Sequence, residues 1–108
     1  MIWPLQRGRI YVATLGSLEE KFYLVVSNNQ RNRFLDSVLA VRLTTSSKPP
    51  LPSIVEIDPT RDRGFEGRIV CDDIVEIFED EVARDLGALS PETMRKVDIG
   101  LRAALGIR

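Results

Sequence analysis

Arg42 and Thr44 stand two residues apart in the apolar segment Val38-Leu39-Ala40-Val41-Arg42-Leu43-Thr44-Thr45-Ser46. Side chains of a strand alternate between faces, so Leu39, Val41 and Leu43 turn one way while Ala40, Arg42 and Thr44 turn the other. A guanidinium and a hydroxyl then share one surface. Desolvating an arginine is costly, so Arg42 is expected to meet solvent, a carboxylate or a phosphate; an edge ion pair with Thr44 as strand filler is the plain alternative. Asn28-Asn29-Gln30-Arg31-Asn32-Arg33 reads as a polar, cationic loop whose amides and guanidiniums suit phosphates and base edges, or merely a solvated turn. Asp72-Asp73 sets two carboxylates side by side at the end of an apolar run, where exposure is the simpler outcome.

The chain has no histidine. That removes the commonest general base and metal ligand, and with them the hydrolytic triads built on Ser-His-Asp or Cys-His. No Gly-rich phosphate loop, carboxylate metal loop or cysteine pair for zinc is present, so no metal is expected. The single Cys71 lies in the apolar run Arg68-Ile69-Val70-Cys71 and reads as a buried free thiol in a reducing compartment.

These groups need strands to hold them. Short runs rich in Val, Ile, Leu and aromatics, bounded by Gly, Pro, Asn, Asp or Ser, are read as strands over residues 9–15, 22–27, 37–44, 53–57, 68–71 and 73–78. Their spacing favours a compact all-β barrel or sandwich. A short helix is expected over residues 79–86, stopped at Gly87. A second is expected from the Ser90-Pro91 pair, which suits an N-cap and first turn, to about Leu105 with Gly106 beyond. Met94, Val97, Leu101, Ala104 and Leu105 form its apolar stripe, and Gly100 within it suggests a close packing contact.

A length of 108 residues fits one domain, read as residues 1–108, and 44% apolar with 29% charged residues can fill a core. No secretory leader or membrane span is expected, which reads as a soluble cytoplasmic protein. Residues 1–48 carry seven basic against three acidic side chains, a net of +4, and residues 64–108 carry six against ten, a net of −4. Such a split suggests a polyanion on one side, or simply two differently solvated faces.

Read in order, several segments resemble the MazF/PemK family of small toxin ribonucleases, related in fold to the gyrase poison CcdB. They are Arg7-Gly8-Arg9-Ile10-Tyr11, Leu24-Val25-Val26-Ser27-Asn28, Leu43-Thr44-Thr45-Ser46 and Leu51-Pro52-Ser53-Ile54-Val55-Glu56-Ile57. Cys71-Asp72-Asp73-Ile74 and the closing Lys96-Val97-Asp98 complete them. The resemblance implies a mainly β fold, an SH3-like β-barrel with a C-terminal helix, assembled as a homodimer whose groove takes single-stranded RNA. It implies metal-independent cleavage of messenger or transfer RNA by the 2′-hydroxyl, leaving a 2′,3′-cyclic phosphate and a 5′-hydroxyl, with no cofactor. A cognate MazE-like antitoxin is the implied protein partner.

The family threonine falls on Thr44, and the family arginine falls on Lys21, where Lys21-Phe22 replaces the usual Arg-Pro after a shortened loop, residues 16–20. Arg42 is the second candidate cation and Asp72 a group to orient one of them or to accept the 2′ proton. Asn28, Asn29, Arg31, Arg33, Thr45, Ser46 and Asp73 are the implied RNA contacts. Two other readings compete: a CcdB-like gyrase inhibitor, disfavoured because the only tryptophan is Trp3 rather than C-terminal, and a non-catalytic barrel module that binds RNA or protein.

Overall fold

A computed structural model of the protein describes residues 2–16 and 19–108. Six strands are formed by the β-branched and aromatic runs: β1 (Arg9–Ala13), β2 (Lys21–Val25), β3 (Ser37–Thr44), β4 (Ile54–Glu56), β5 (Arg68–Phe78) and β6 (Val82–Ala88). Two helices accompany them, α1 (Asn29–Phe34) and α2 (Pro91–Leu105). The strands make one antiparallel sheet in the order β4-β5-β3-β2-β1-β6. Its edges are β4 and β6, so the barrel-like curl expected from the sequence stops short of closure.

Alternation along the strands produces two cores. Ile10, Leu24, Val41, Leu43, Ile69 and Cys71 form one with Val55 and with Val97 of α2, while Met94, Leu101 and Ala104 pack against it. Tyr11, Ala13, Tyr23, Val25, Val38, Ala40 and Ile77 form the other, together with Leu5. Burying both faces accounts for the predominantly apolar central strands β1, β2 and β3.

α2 begins and ends as its sequence requires. The Ser90 side chain caps it by accepting from the Thr93 N–H, Pro91 occupies the first turn, and Gly106 closes it at φ 70°. Gly100 is the close-packing point: a Cβ there would lie 2.8 Å from Cys71 Sγ and 3.1 Å from Val55 Cγ2. The buried thiol expected at Cys71 is present, and burial pushes its pKa from 9.0 up to about 11.

Three expectations need correction. Residues 79–86 are not a helix: one 3-10 turn, Glu79–Glu81, leads directly into β6. The exposed edge of β1 supplies an antiparallel ladder from Arg9↔Ala88 to Ala13↔Val82, and that pairing outweighs a weak local helical preference. The polar stretch after β2 is helical rather than a loop, because Asn28 accepts from the Arg31 N–H as N-cap of α1. Finally, the two short runs at 68–71 and 73–78 are one bent strand. Its register against β3 jumps from Arg42↔Val70 to Val41↔Ile74, so residues 71–73 form a bulge beside Arg42.

Candidate active-site cleft

Two strand ends meet where chemistry is possible. β2 starts as β3 finishes, with Phe22 opposite Leu43 and Tyr23 opposite Arg42. Carrying that register one residue further sets Lys21 alongside Thr44. By alternation Lys21, Tyr23, Arg42 and Thr44 share one face. Lys21, Arg42 and Thr44 border a cleft of about 410 Å³ that Phe22, Leu43, Thr45 and Ser46 also line on that side. Gly64, Phe65 and Glu66, from the segment between β4 and β5, line it as well, and Glu19 and Glu20 stand at its rim.

Each polar group retains bonding capacity. Thr44 Oγ1 accepts from the Ser46 N–H at 3.1 Å, which leaves its own proton to donate. Arg42 is half-buried, and its Nε is fully enclosed without a hydrogen-bond partner. The guanidinium is therefore incompletely bonded within the protein. Lys21 Nζ lies 4.0 Å from Glu19 Oε2, the outer limit of an ion pair, and the Glu19 side chain is 78% exposed. Solvent screening makes such a contact easy for a phosphate to displace. Tyr23, buried beside Arg42, has its pKa raised by desolvation; Arg42 opposes that shift, while Asp73 and Glu81 add to it.

The strand end carrying Thr44 is braced by residues that motif reading passed over. Arg68 Nη1 donates to the Thr45 and Ser46 carbonyls, both at 3.3 Å, while its Nε donates to Glu56 Oε1 at 3.0 Å. Gly67, at φ +96°, lies against the Thr44 backbone so closely that a Cβ would run into the Thr44 carbonyl oxygen. The two glycines framing Gly64-Phe65-Glu66-Gly67 were the available sequence signal for a tight segment.

Of the residues singled out in the sequence, Lys21, Arg42, Thr44, Thr45 and Ser46 come together. Asp73 lies near enough for its charge to act on Tyr23. Asp72 is outside the cleft on the β5 bulge, accepting from Ser53 Oγ at 2.6 Å. The group around α1 joins the other ends of β2 and β3, a strand length away. There Asn28 caps α1, Asn29 Oδ1 accepts from the Arg7 N–H at 2.7 Å, Arg31 Nη1 donates to the Ser37 carbonyl at 2.9 Å, and Arg33 is exposed. Asn32 is buried, bonded to Ser27. Among the described residues no three His, Cys, Asp or Glu side chains cluster as a metal site, and no helix is long and apolar enough to cross a membrane.

A partly rolled antiparallel sheet with a helix packed on one face and a cation-and-hydroxyl cleft at its strand ends defines a small β toxin of the MazF fold. The chain belongs to the family of PemK-like, MazF-like toxins of type II toxin–antitoxin systems, whose model matches residues 6–105. It is 39% identical over 101 residues to endoribonuclease MazF1 of Mycobacterium bovis, covering 94% of this chain and 92% of the relative. Endoribonuclease MazF4 of Mycobacterium tuberculosis matches with the same identity and coverage. A solved endoribonuclease in complex with its cognate antitoxin, from a mycobacterial species, superposes with a TM-score of 0.86 at 38% identity, covering 95% of this chain and 96% of that one. A MazE–MazF structure from Deinococcus radiodurans shares the fold with a TM-score of 0.81 at 17% identity, covering 98% and 100%.

Proposed function

We propose that this MazF-type toxin is an endoribonuclease that cuts single-stranded RNA through the RNA's own 2′-hydroxyl. The observation that carries the reading is the convergence of Lys21, Arg42 and Thr44 on one cleft, each with bonding capacity to spare. Relatives named endoribonucleases support it.

An internal nucleophile needs positioning and charge stabilisation, not a metal-bound water. The 2′ oxygen attacks phosphorus in line, the bond from phosphorus to the 5′ oxygen breaks, and a 2′,3′-cyclic phosphate and a 5′-hydroxyl result. The 2′ proton passes to solvent. Lys21 faces the phosphate, neutralises the charge developing on it and protonates the departing 5′ oxygen. Thr44 donates a hydrogen bond to a non-bridging oxygen; its hydroxyl is far too weak a base to take the 2′ proton. Arg42 supplies the second cation and Thr45 and Ser46 flank the backbone. Asp73 acts from beside Tyr23 rather than from the cleft lining, and Arg33 is the exposed cation of α1 left for more distant phosphates.

The protein is taken to act in the cytoplasm as a homodimer that arrests translation, held in check by a MazE-like antitoxin, as the antitoxin complexes among its structural relatives suggest. Purified protein incubated with single-stranded RNA in EDTA is expected to yield fragments with 5′-hydroxyl and 2′,3′-cyclic phosphate ends. RNA left intact, or cut only when a divalent ion is restored, would overturn this reading.

A further inference from the structure

The cleft has two unlike walls. Lys21, Arg42 and Thr44 give one of them cations and a hydroxyl, with Glu19 and Glu20 at its rim. The facing segment contributes Phe65 and Glu66 and no cation. A carboxylate repels the phosphate that the first wall attracts. What lies against Glu66 when a nucleotide occupies the cleft is therefore the sugar and base.

This second wall is built to stay in place. At one end Gly67 is wedged against the Thr44 backbone, and the Ile57 N–H donates to the Gly67 carbonyl at 3.0 Å. At the other end Asp62, 5% exposed, accepts from the Ser90 N–H at 2.6 Å, from Ser90 Oγ at 3.2 Å and from Thr93 Oγ1. The Asp62 carbonyl then accepts from the Phe65 N–H at 3.1 Å. Phe65 packs its ring against the first core, with its tip near Gly87. Glu66 next to it is exposed and makes no hydrogen bond or ion pair among the described residues. Phe22, 45% exposed on the same cleft, supplies an aromatic surface for stacking.

A free carboxylate carried on a held backbone is a pure acceptor with two oxygens. Guanine alone among the four bases offers two adjacent donors, N1–H and the N2 amino group, that match both oxygens at once. Cytosine and adenine place a ring-nitrogen acceptor beside their amino group. Uracil flanks its single N–H with two carbonyls. We propose that Glu66, with Phe22, forms a guanine-reading subsite next to the phosphate that is cut. The proposal rests on the ribonuclease reading above.

The test uses full-length protein and a randomised single-stranded RNA pool cut to low conversion, with the new 5′-hydroxyl ends sequenced, for wild type, Glu66→Gln and Glu66→Ala. Wild type is expected to enrich guanine at one position flanking the cut. Two synthetic RNAs differing only by guanine or uracil there should differ in kcat/KM by roughly ten- to a hundred-fold. Both variants should melt like wild type and bring that ratio close to one. Guanine-free cut sites, or an unchanged ratio in both variants, would sink the subsite and leave the nuclease intact. A wild-type protein that cuts nothing would sink both.

Discussion

Thr44 holds one hydrogen bond and keeps one in hand. Oγ1 accepts from the Ser46 N–H and its own proton has no acceptor among the described residues, so that proton is available to a group in the cleft that Thr44 lines. Removing a single donor aimed at transition-state charge costs about a hundred- to a thousand-fold in rate. Thr44→Val, which keeps the shape and loses the proton, is expected to lower single-turnover RNA cleavage by about a hundred-fold or more, whereas Thr44→Ser should stay within about ten-fold. Equal rates in the two variants would move the contact elsewhere. Lys21 is half-buried but only weakly paired, so Lys21→Ala should leave the melting temperature little changed while cleavage falls by orders of magnitude. At this scale the sequence was partly legible. Alternation alone put Arg42 and Thr44 on one face, and the resemblance supplied Lys21. Glu66, Gly67 and Arg68 were not legible, because what they do depends on β5 running back alongside β3, a contact between residues more than twenty positions apart.

At the scale of the element, α2 is joined to the sheet by the absence of a side chain. A methyl group on Gly100 would meet Cys71 Sγ at 2.8 Å, and overpacking of this kind typically costs about 1–3 kcal/mol, against a gain of up to about 1 kcal/mol in helix propensity. Gly100→Ala is expected to lower stability in urea unfolding, and Cys71→Ala in the same chain should restore part of the loss. An additive pair would mean the contact does not set the packing. Asp62 joins the α2 N-terminus to the cleft wall through three hydrogen bonds, so Asp62→Ala should both destabilise the fold and raise KM for RNA more than it lowers kcat. Helix α2 was readable end to end because its cap, its proline and its closing glycine are local signals. β6 was not. The run Val82-Ala83-Arg84-Asp85-Leu86 has no decisive period of its own, and only the free edge of β1 makes it a strand. α1 was missed for the converse reason: its cap is local, but the six residues are too few to show a helical period.

On the scale of the whole molecule, the charge separation along the sequence folds back on itself. Arg7 pairs with Asp98 at 2.7 Å and Arg9 with Asp85 at 2.9 Å, so two cations of the basic half are spent on acids of the other half. The cations that line the cleft are Lys21 and Arg42. Alkaline pH should expose the cost of the buried acids. Tyr11 and Tyr23 have pKa values raised by burial, and Cys71 is raised to about 11. In the unfolded chain these groups ionise first, so stability is full below pH 9 and is lost as pH rises from there through about 11. Melting temperature measured between pH 8 and pH 11 should fall through that window, and Cys71→Ala should flatten the early part of the fall. The central claim is that Lys21 and Thr44 grip the same phosphodiester. A double-mutant cycle on the single-turnover cleavage rate, measured in EDTA for wild type, Lys21→Ala, Thr44→Ala and the double variant, tests it directly. Groups acting on one transition state should give a double variant little slower than the worse single one, with both single losses large. Losses that multiply without interaction, or single variants that cut at the wild-type rate, would contradict the account.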